Sequence, residues 1–212
     1  MTRVAIIGAG DLGRQVAHHA RSVPDLTIAG FFDDVRERHS LVDTVPVIGG
    51  IPDVAGAHAQ GAFDALLIGI GYKHLGFRHK LYEDLAGRIP FARLIHPRTW
   101  IDPTCTIEPG AIVYPGCTLD MNVVIGANSL LNLGCIVAHD STIGAGCFLS
   151  PGVNVAGFVQ VHSMVSLGIG TIVIDNVSIA SGIRTGAGAV VTQNLAVVGL
   201  HAGVPARLKK AQ

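Results

Sequence analysis

The sequence predicts two parts of different kind: a small α/β unit over residues 1–95 and an all-β coil of stacked parallel strands, a β-helix, over residues 96–212. Three observations carry that reading. Aliphatic residues recur every six positions through the second half. A short apolar strand at the start runs into a glycine-rich turn and a helix. The composition joins 27 glycines and 49% hydrophobic residues to only 5% aromatic, so large rings do not fill the core.

In the first part, residues 4–7 (Val-Ala-Ile-Ile) read as a strand, Gly8-Ala9-Gly10-Asp11-Leu12-Gly13 as a turn, and residues 14–21 as a helix. Residues 26–32 form a second strand that ends in Asp33-Asp34. A third, residues 65–70, runs into Gly71, and residues 73–87 read as helix. Strand, glycine turn, helix and strand in this order make a small parallel α/β unit. In the Rossmann pattern such glycines let the backbone approach a phosphate at a helix N-terminus, and an acid at the end of the second strand holds the ribose. Asp33, twenty residues beyond Gly13, occupies that acid position. The unit is too short for the paired halves that grip a dinucleotide, so a nicotinamide oxidoreductase is set aside. A mononucleotide or a nucleotide-linked sugar needs only one such unit, and a purely structural cap remains the alternative.

In the second part, steps of six from Ile101 land on Ile107, Val113, Leu119, Ile125, Leu131, Val137, Ile143, Leu149, Val155, Val161, Leu167, Val173 and Ile179. The next step meets Thr185, and the pattern resumes at Val191 and Val197. The fourth residue after each aliphatic is restricted as well: Cys105, Ala111, Cys117, Val123, Ser129, Cys135, Ser141, Cys147, Val153, Val159, Val165. A helix cannot hold a strict period of six, because its apolar stripe turns with period 3.6. A short strand and a corner can. Three hexads close an 18-residue triangular coil, and stacked coils pair each strand with one about 4.8 Å above it. The aliphatics then point inward, and the second inward place must be small because the prism is narrow.

The remaining composition excludes several functions. Fifteen basic residues balance fifteen acidic ones without a basic block, so nucleic acid is not an expected partner. No apolar run approaches the roughly 18 residues that span a bilayer. Met1-Thr2-Arg3 leads straight into the first strand, so no signal peptide is read and a cytoplasmic location is expected. All four cysteines fall in the small inward place, where free Cys packs as a small hydrophobe. There is no CxxC pair, and no metal is expected.

A general base has to be found among ten histidines. His18, His19, His58, His74 and His79 are among those in the α/β part, His96 is in the linker and His201 in the tail; only His139 and His162 lie in the coils. His139 holds the third place of Val137-Ala138-His139-Asp140-Ser141-Thr142, outward near a corner, with a carboxylate beside it. Imidazole suits proton uptake near neutral pH, and an adjacent carboxylate fixes its tautomer. His162 is a second, weaker groove candidate.

Glycine-turn domain, Ile95-His96-Pro97 linker, hexad coils and a closing Gly203-Val204-Pro205-Ala206 together resemble the bacterial sugar acetyltransferases of the left-handed β-helix, hexapeptide-repeat superfamily. That group includes sialic acid O-acetyltransferases and N-acetyltransferases of nucleotide-linked 4-amino sugars. The resemblance implies a left-handed coil, acetyl-CoA as donor, and a homotrimer with active sites between subunits. It also implies N-acetylation of a UDP-, GDP- or dTDP-linked 4-amino-4,6-dideoxy sugar, with sugar O-acetylation or a non-catalytic trimeric scaffold as alternatives. Carried over by residue, His139 is the base and Asp140 its orienting acid. Gly10, Asp11, Leu12, Asp33, Asp34, Gly71 and His74 meet the nucleotide sugar. Phe148, Ile169, Gly186, Ala187 and Lys209 meet the CoA. Related enzymes often carry a second histidine nine residues after the base, and this chain has Phe148 there. Many carry Gly-His in the first turn, where this chain has Asp11-Leu12.

Overall fold

The computed structural model describes residues 1–211. The chain divides into two compact units, Met1–His96 and Pro97–Gln212.

In the first unit, β1 (Thr2–Ile7), β2 (Leu26–Phe32), β4 (Val45–Gly49) and β5 (Ala65–Ile68) run parallel, and the short β3 (Leu41–Val42) pairs antiparallel with β4. The order is β3-β4-β2-β1-β5, so β1 lies inside the sheet, and its Val4, Ala5, Ile6 and Ile7 are fully buried. Helix α1 (Asp11–Ala20) starts three residues earlier than the sequence suggests. It buries Gly13, Val16, Ala17 and Ala20, the i, i+3, i+4, i+7 stripe of a helix lying on a sheet. Gly13 is there because nothing larger fits: a Cβ would stand 1.9 Å from the Gly8 carbonyl oxygen. The expected third strand stops at Ile68, and the expected helix divides into a 3₁₀ turn, Tyr72–His74, and α3 (Leu75–Leu85). The β3–β4 hairpin and the short α2 (Val54–Ala59) have no counterpart in the sequence reading.

The second unit is the coil that the hexads require. Each two-residue strand pairs parallel with the strand one coil on, as Thr118 with Ile136 and Leu119 with Val137. Three faces result. The first runs from Trp100–Ile101 to Val190–Val191, the second from Thr106–Ile107 to Ser178–Ile179, and the third from Ile112–Val113 to Arg184–Thr185. From Val113 to Ile179 every hexad aliphatic is buried; Ile101 and Ile107, in the first coil, are partly covered.

Where the small inward place is Cys or Ser, its side chain also makes a bond. Cys105, Cys117, Cys135 and Cys147 each direct Sγ at a corner carbonyl fifteen residues on: Asp120 (3.0 Å), Asn132 (3.0 Å), Ser150 (3.3 Å) and His162 (3.1 Å). Ser129 and Ser141 do the same with their hydroxyls, to Gly144 O at 2.7 Å and Ala156 O at 2.8 Å. Thiol, a weak donor, and hydroxyl, a stronger one, can both donate to such a carbonyl. None of the four cysteines is in a disulfide.

Two irregularities have physical causes. Thr185 breaks the aliphatic series because its hydroxyl lies 2.8 Å from that of Thr171 and accepts the Gly168 N–H at 2.9 Å, a closed polar contact inside the coil. Val197 does not resume the pattern, as the sequence suggests, but is half exposed. The last coil is two residues short, so Ile179 meets Leu195 and Thr185 meets His201, sixteen residues on rather than eighteen. Leu195 takes the buried place instead. Beyond it, Gly199–Ala202 and Arg207–Ala211 form an antiparallel hairpin, and the buried Ala206 bonds its N–H to Val190 O.

Candidate functional site

The nucleotide candidates gather at one end of the first sheet. Because β2, β1 and β5 are adjacent and parallel, the segments that leave their C-terminal ends are neighbours: Gly10-Asp11-Leu12, Asp33-Asp34 and Gly71 to His74. This is the crevice where open α/β sheets take ligands. Gly8, at φ +97°, makes the turn, and Gly10 caps α1 without any side-chain bond to the helix's first N–H groups. Gly10 and Gly71 both face open space where a side chain would be.

Asp33 holds the turn together. Its Oδ2 accepts the N–H of the buried Ala9 at 2.7 Å, and its Oδ1 accepts those of Val35 and Arg36 at 2.9 and 3.0 Å. Partial burial pushes this carboxyl up, but the three backbone bonds together outweigh it and hold the group below the ordinary range. Asp34 similarly accepts the Ile51 N–H at 2.7 Å. Both acids thus shape the rim of the crevice before any ligand arrives. His74 is exposed at the start of α3. A separate hollow of about 420 Å³, lined by Asp11, Arg14, Gln15, His18 and Asp43, shares only Asp11 with this set.

In the coil, His139 and Asp140 form the corner between the first and second faces. Asp140 takes a left-handed backbone (φ +55°), which Asp tolerates better than most residues. Its Oδ2 lies 2.9 Å from His139 Nδ1, and its Oδ1 accepts the Asn122 carboxamide N–H at 2.9 Å. The Asn122 bond and, after it, the His139 bond hold the Asp140 carboxyl below the usual range, so it is a carboxylate. A carboxylate only accepts; His139 Nδ1 therefore carries a proton, and in the neutral ring Nε2 has the lone pair. The imidazole has room because residue 157 is glycine: a Cβ there would lie 2.8 Å from the ring's Cε1. The half-exposed Phe158 stands edge-on to the ring, centroids 5.1 Å apart at 87°, from a left-handed backbone (φ +57°) that a bulky residue rarely adopts.

The other coil candidates lie elsewhere on the prism. Phe148 is buried on the third face, in register with Leu130 and Ser166, and is not brought to the His139 corner within one chain. Ile169 and the Gly186-Ala187 turn stack at the corner between the third and first faces, where Gly188 N–H bonds to Ile169 O at 2.8 Å. Lys209 is exposed in the last strand. His162 lies at the end of a second-face strand, its Nε2 3.4 Å from Ser178 Oγ. Asn122, Gly157 and Phe158 were not singled out from the sequence, although the 18-residue coil places 122 and 158 directly below and above residue 140. Among the described residues no cluster of His, Cys, Asp or Glu is arranged to hold a metal, and no helix is long and apolar enough to cross a membrane.

Comparison with known proteins adds to this geometry. Residues 3–85 match the family model described as the PglD N-terminal domain. No curated protein matches the chain. Among solved structures, a histidine variant of perosamine N-acetyltransferase from Caulobacter crescentus, in complex with CoA and GDP-perosamine, is 31% identical, with a TM-score of 0.90 over 99% of this chain and 98% of that one. The acetyltransferase domain of PglB from Neisseria gonorrhoeae, in complex with acetyl coenzyme A, is 26% identical, with a TM-score of 0.89 over 98% of each chain. WeeI from Acinetobacter baumannii is 25% identical, with a TM-score of 0.83 over 98% of this chain and 99% of that one.

Proposed function

Because the chain belongs to the bacterial sugar N-acetyltransferases of the left-handed β-helix, hexapeptide type, we propose that it acetylates the amine of a nucleotide-linked 4-amino-4,6-dideoxy sugar, with His139 as general base. The class is an acetyl-CoA-dependent N-acetyltransferase of amino sugars. One observation carries the residue assignment: at an outward corner, Asp140 binds His139 Nδ1 and leaves the Nε2 lone pair available.

Acetyl-CoA supplies the acetyl group as a thioester. His139 Nε2 accepts the proton that the attacking amine sheds as its nitrogen bonds to the acetyl carbon, and returns it to the thiolate released when the C–S bond breaks. Asp140 stabilises the imidazolium in between. Such a base contributes on the order of 10²–10⁴-fold. Phe148 offers no donor to the thioester oxygen, so a backbone N–H takes that part. The crevice of Gly10, Asp11, Leu12, Asp33, Asp34, Gly71 and His74 holds the nucleotide, with uncapped N–H groups of α1 facing the phosphates. Asp11 in the first turn of α1 disfavours a close approach of the phosphates to its own side chain, so backbone N–H groups carry that contact.

A homotrimer fits the distribution of apolar surface. Trp100, Ile136 and Ile172 project half-exposed from the first face, and Leu133, Ile169 and Phe158 project from its two corners. On the second face the outward residues are mostly polar: Thr106, Thr142, Gln160 and Ser178. Thr118 and Asn154 alternate with these side chains on the first face, and an exposed apolar set of this kind suits a subunit interface. The His139 corner and the Ile169–Ala187 corner are the two edges of that face. A threefold assembly lays the base of one subunit against the CoA-binding edge and Lys209 of the next. Four cysteines outside any disulfide suit a reducing, cytoplasmic setting.

The test is release of CoA thiol with a panel of UDP-, GDP- and dTDP-linked 4-amino sugars beside free sialic acid. Turnover confined to nucleotide amino sugars supports the assignment. Turnover with sialic acid alone transfers it to O-acetylation, and none with any sugar overturns it.

A further inference from the structure

The same coil position is occupied, one turn apart, by Thr104, Asn122, Asp140, Phe158 and Asn176, all on the corner that carries His139. Asn122 and Asn176 share a left-handed backbone, both at φ +59°, yet their side chains behave differently. The Asn176 carboxamide turns aside to its own neighbour, Asp175 Oδ2, at 2.9 Å. That of Asn122 crosses to the next coil and donates to Asp140 Oδ1 at 2.9 Å. The backbone requirement explains why both are asparagine. It does not explain where the Asn122 amide is directed.

An aspartate carboxylate turns easily about χ2, which is a broad torsion, and at a half-exposed corner water competes for both oxygens. With Asn122 on one oxygen, the other stays in line with His139 Nδ1. Asn122 is anchored in turn. Its N–H donates to Thr104 Oγ1 at 2.8 Å, and that hydroxyl spends its own proton on Asp102 Oδ1 at 2.6 Å. The direction of every bond is therefore set by chemistry: an amide N–H only donates, a carboxylate only accepts, and the hydroxyl does one of each.

We propose that Asn122 is a positioning residue for acetyl transfer, fixing Asp140 so that His139 presents its Nε2 lone pair, with Thr104 and Asp102 as its footing. Asn122 touches no substrate and acts through Asp140. The proposal rests on His139 being the base.

Two variants of the full chain test it. Asn122→Gly keeps the left-handed corner and removes the amide; Asn122→Asp keeps size and corner preference but replaces the donor by an acceptor. Losing a hydrogen bond to a charged group predicts a kcat lower by about tenfold in both. KM for acetyl-CoA and for the nucleotide amino sugar stays unchanged, as does the thermal midpoint of Asn122→Gly. The decisive readout is a double-mutant cycle: Asn122→Gly added to Asp140→Asn should slow the enzyme no further, because the residue it positions has already lost its charge. A merely structural Asn122 would lower stability and multiply with Asp140→Asn. Wild-type kcat in Asn122→Gly, or independent effects in the double variant, overturns the proposal. His139→Ala separates this from failure of the base assignment. If that variant turns over undiminished, the base reading and this proposal both fall; if it is inactive while Asn122→Gly is fully active, only the positioning role falls.

Discussion

In the α/β unit single residues carry much of the architecture: Gly13 lets α1 meet the β1 turn, and Asp33, beside the Gly8 N–H bond to Phe32 O, ties that turn to the end of β2. In the coil no single residue does so, because each inward slot recurs every six residues and its neighbours one coil above and below hold the same kind of side chain. The unit that must shape a crevice is unique at each position, whereas the unit that must display a corner is redundant nearly everywhere except at that corner. A substitution in the first should therefore disturb a whole binding surface, and one in the second should stay within a coil.

The largest expected stability effect is that of Gly13→Ala. Its Cβ would meet the Gly8 carbonyl oxygen at 1.9 Å, backbone against side chain, with no flexible group to yield. A loss of about 4 kcal/mol or more is expected from chemical unfolding. A wild-type midpoint would show that the close approach of α1 to the turn is not required. Next comes Leu149→Ala, a cavity in the middle of the coil, which should cost about 2–5 kcal/mol while nucleotide binding stays intact. Calorimetric titration with the nucleotide sugar checks this; weakened binding would mean that a coil cavity is felt beyond its own coil.

Asp33→Ala strips the buried Ala9 N–H of its partner and should cost about 1–3 kcal/mol. It should also weaken nucleotide binding, whereas Leu149→Ala should not. The contribution of Asp33 has a definite pH dependence. Its folded carboxyl lies below the unfolded value of about 3.9, so its stabilisation is fully present above that pH and is lost as pH falls through the lower, folded value. The gap in urea midpoint between wild type and Asp33→Asn should therefore shrink on acidification below about pH 3.9 and stay constant from there to neutrality. A gap that widens in acid would contradict the assignment.

The smallest effect belongs to Cys135→Ser. Serine already fills the equivalent slot at 129 and 141 and makes the same bond to a carbonyl fifteen residues on, so the change should stay within about 1 kcal/mol. A larger loss would mean that the slot selects for volume rather than for a donor.

The same contrast explains what could be read from the sequence. The coil was legible because a physical rule repeats in it: one aliphatic inward, one small residue inward, a corner, and again. His139-Asp140 stood out against that rule. Where the rule changes, legibility fails. The last coil drops two residues, so Leu195 rather than Val197 turns inward, and nothing in the six-residue count announces the omission. The β3–β4 hairpin and α2 are too short to show a period, and they lie among glycines and prolines between residues 41 and 59. Asn122 could have been found by counting eighteen back from Asp140. The aim of its carboxamide could not, since Asn176 has the same corner and points elsewhere. Phe148, which the resemblance sets against the CoA, lies half a coil on from His139 and so on another face of its own chain.

The central claim is that the coil corner does the proton transfer while the α/β crevice does the holding. The most direct measurement is His139→Ala assayed in parallel for turnover and for nucleotide-sugar affinity. The account predicts kcat lower by about 10²–10⁴-fold with the dissociation constant of the nucleotide sugar unchanged. Turnover retained in His139→Ala, or lost together with nucleotide-sugar binding, would contradict it.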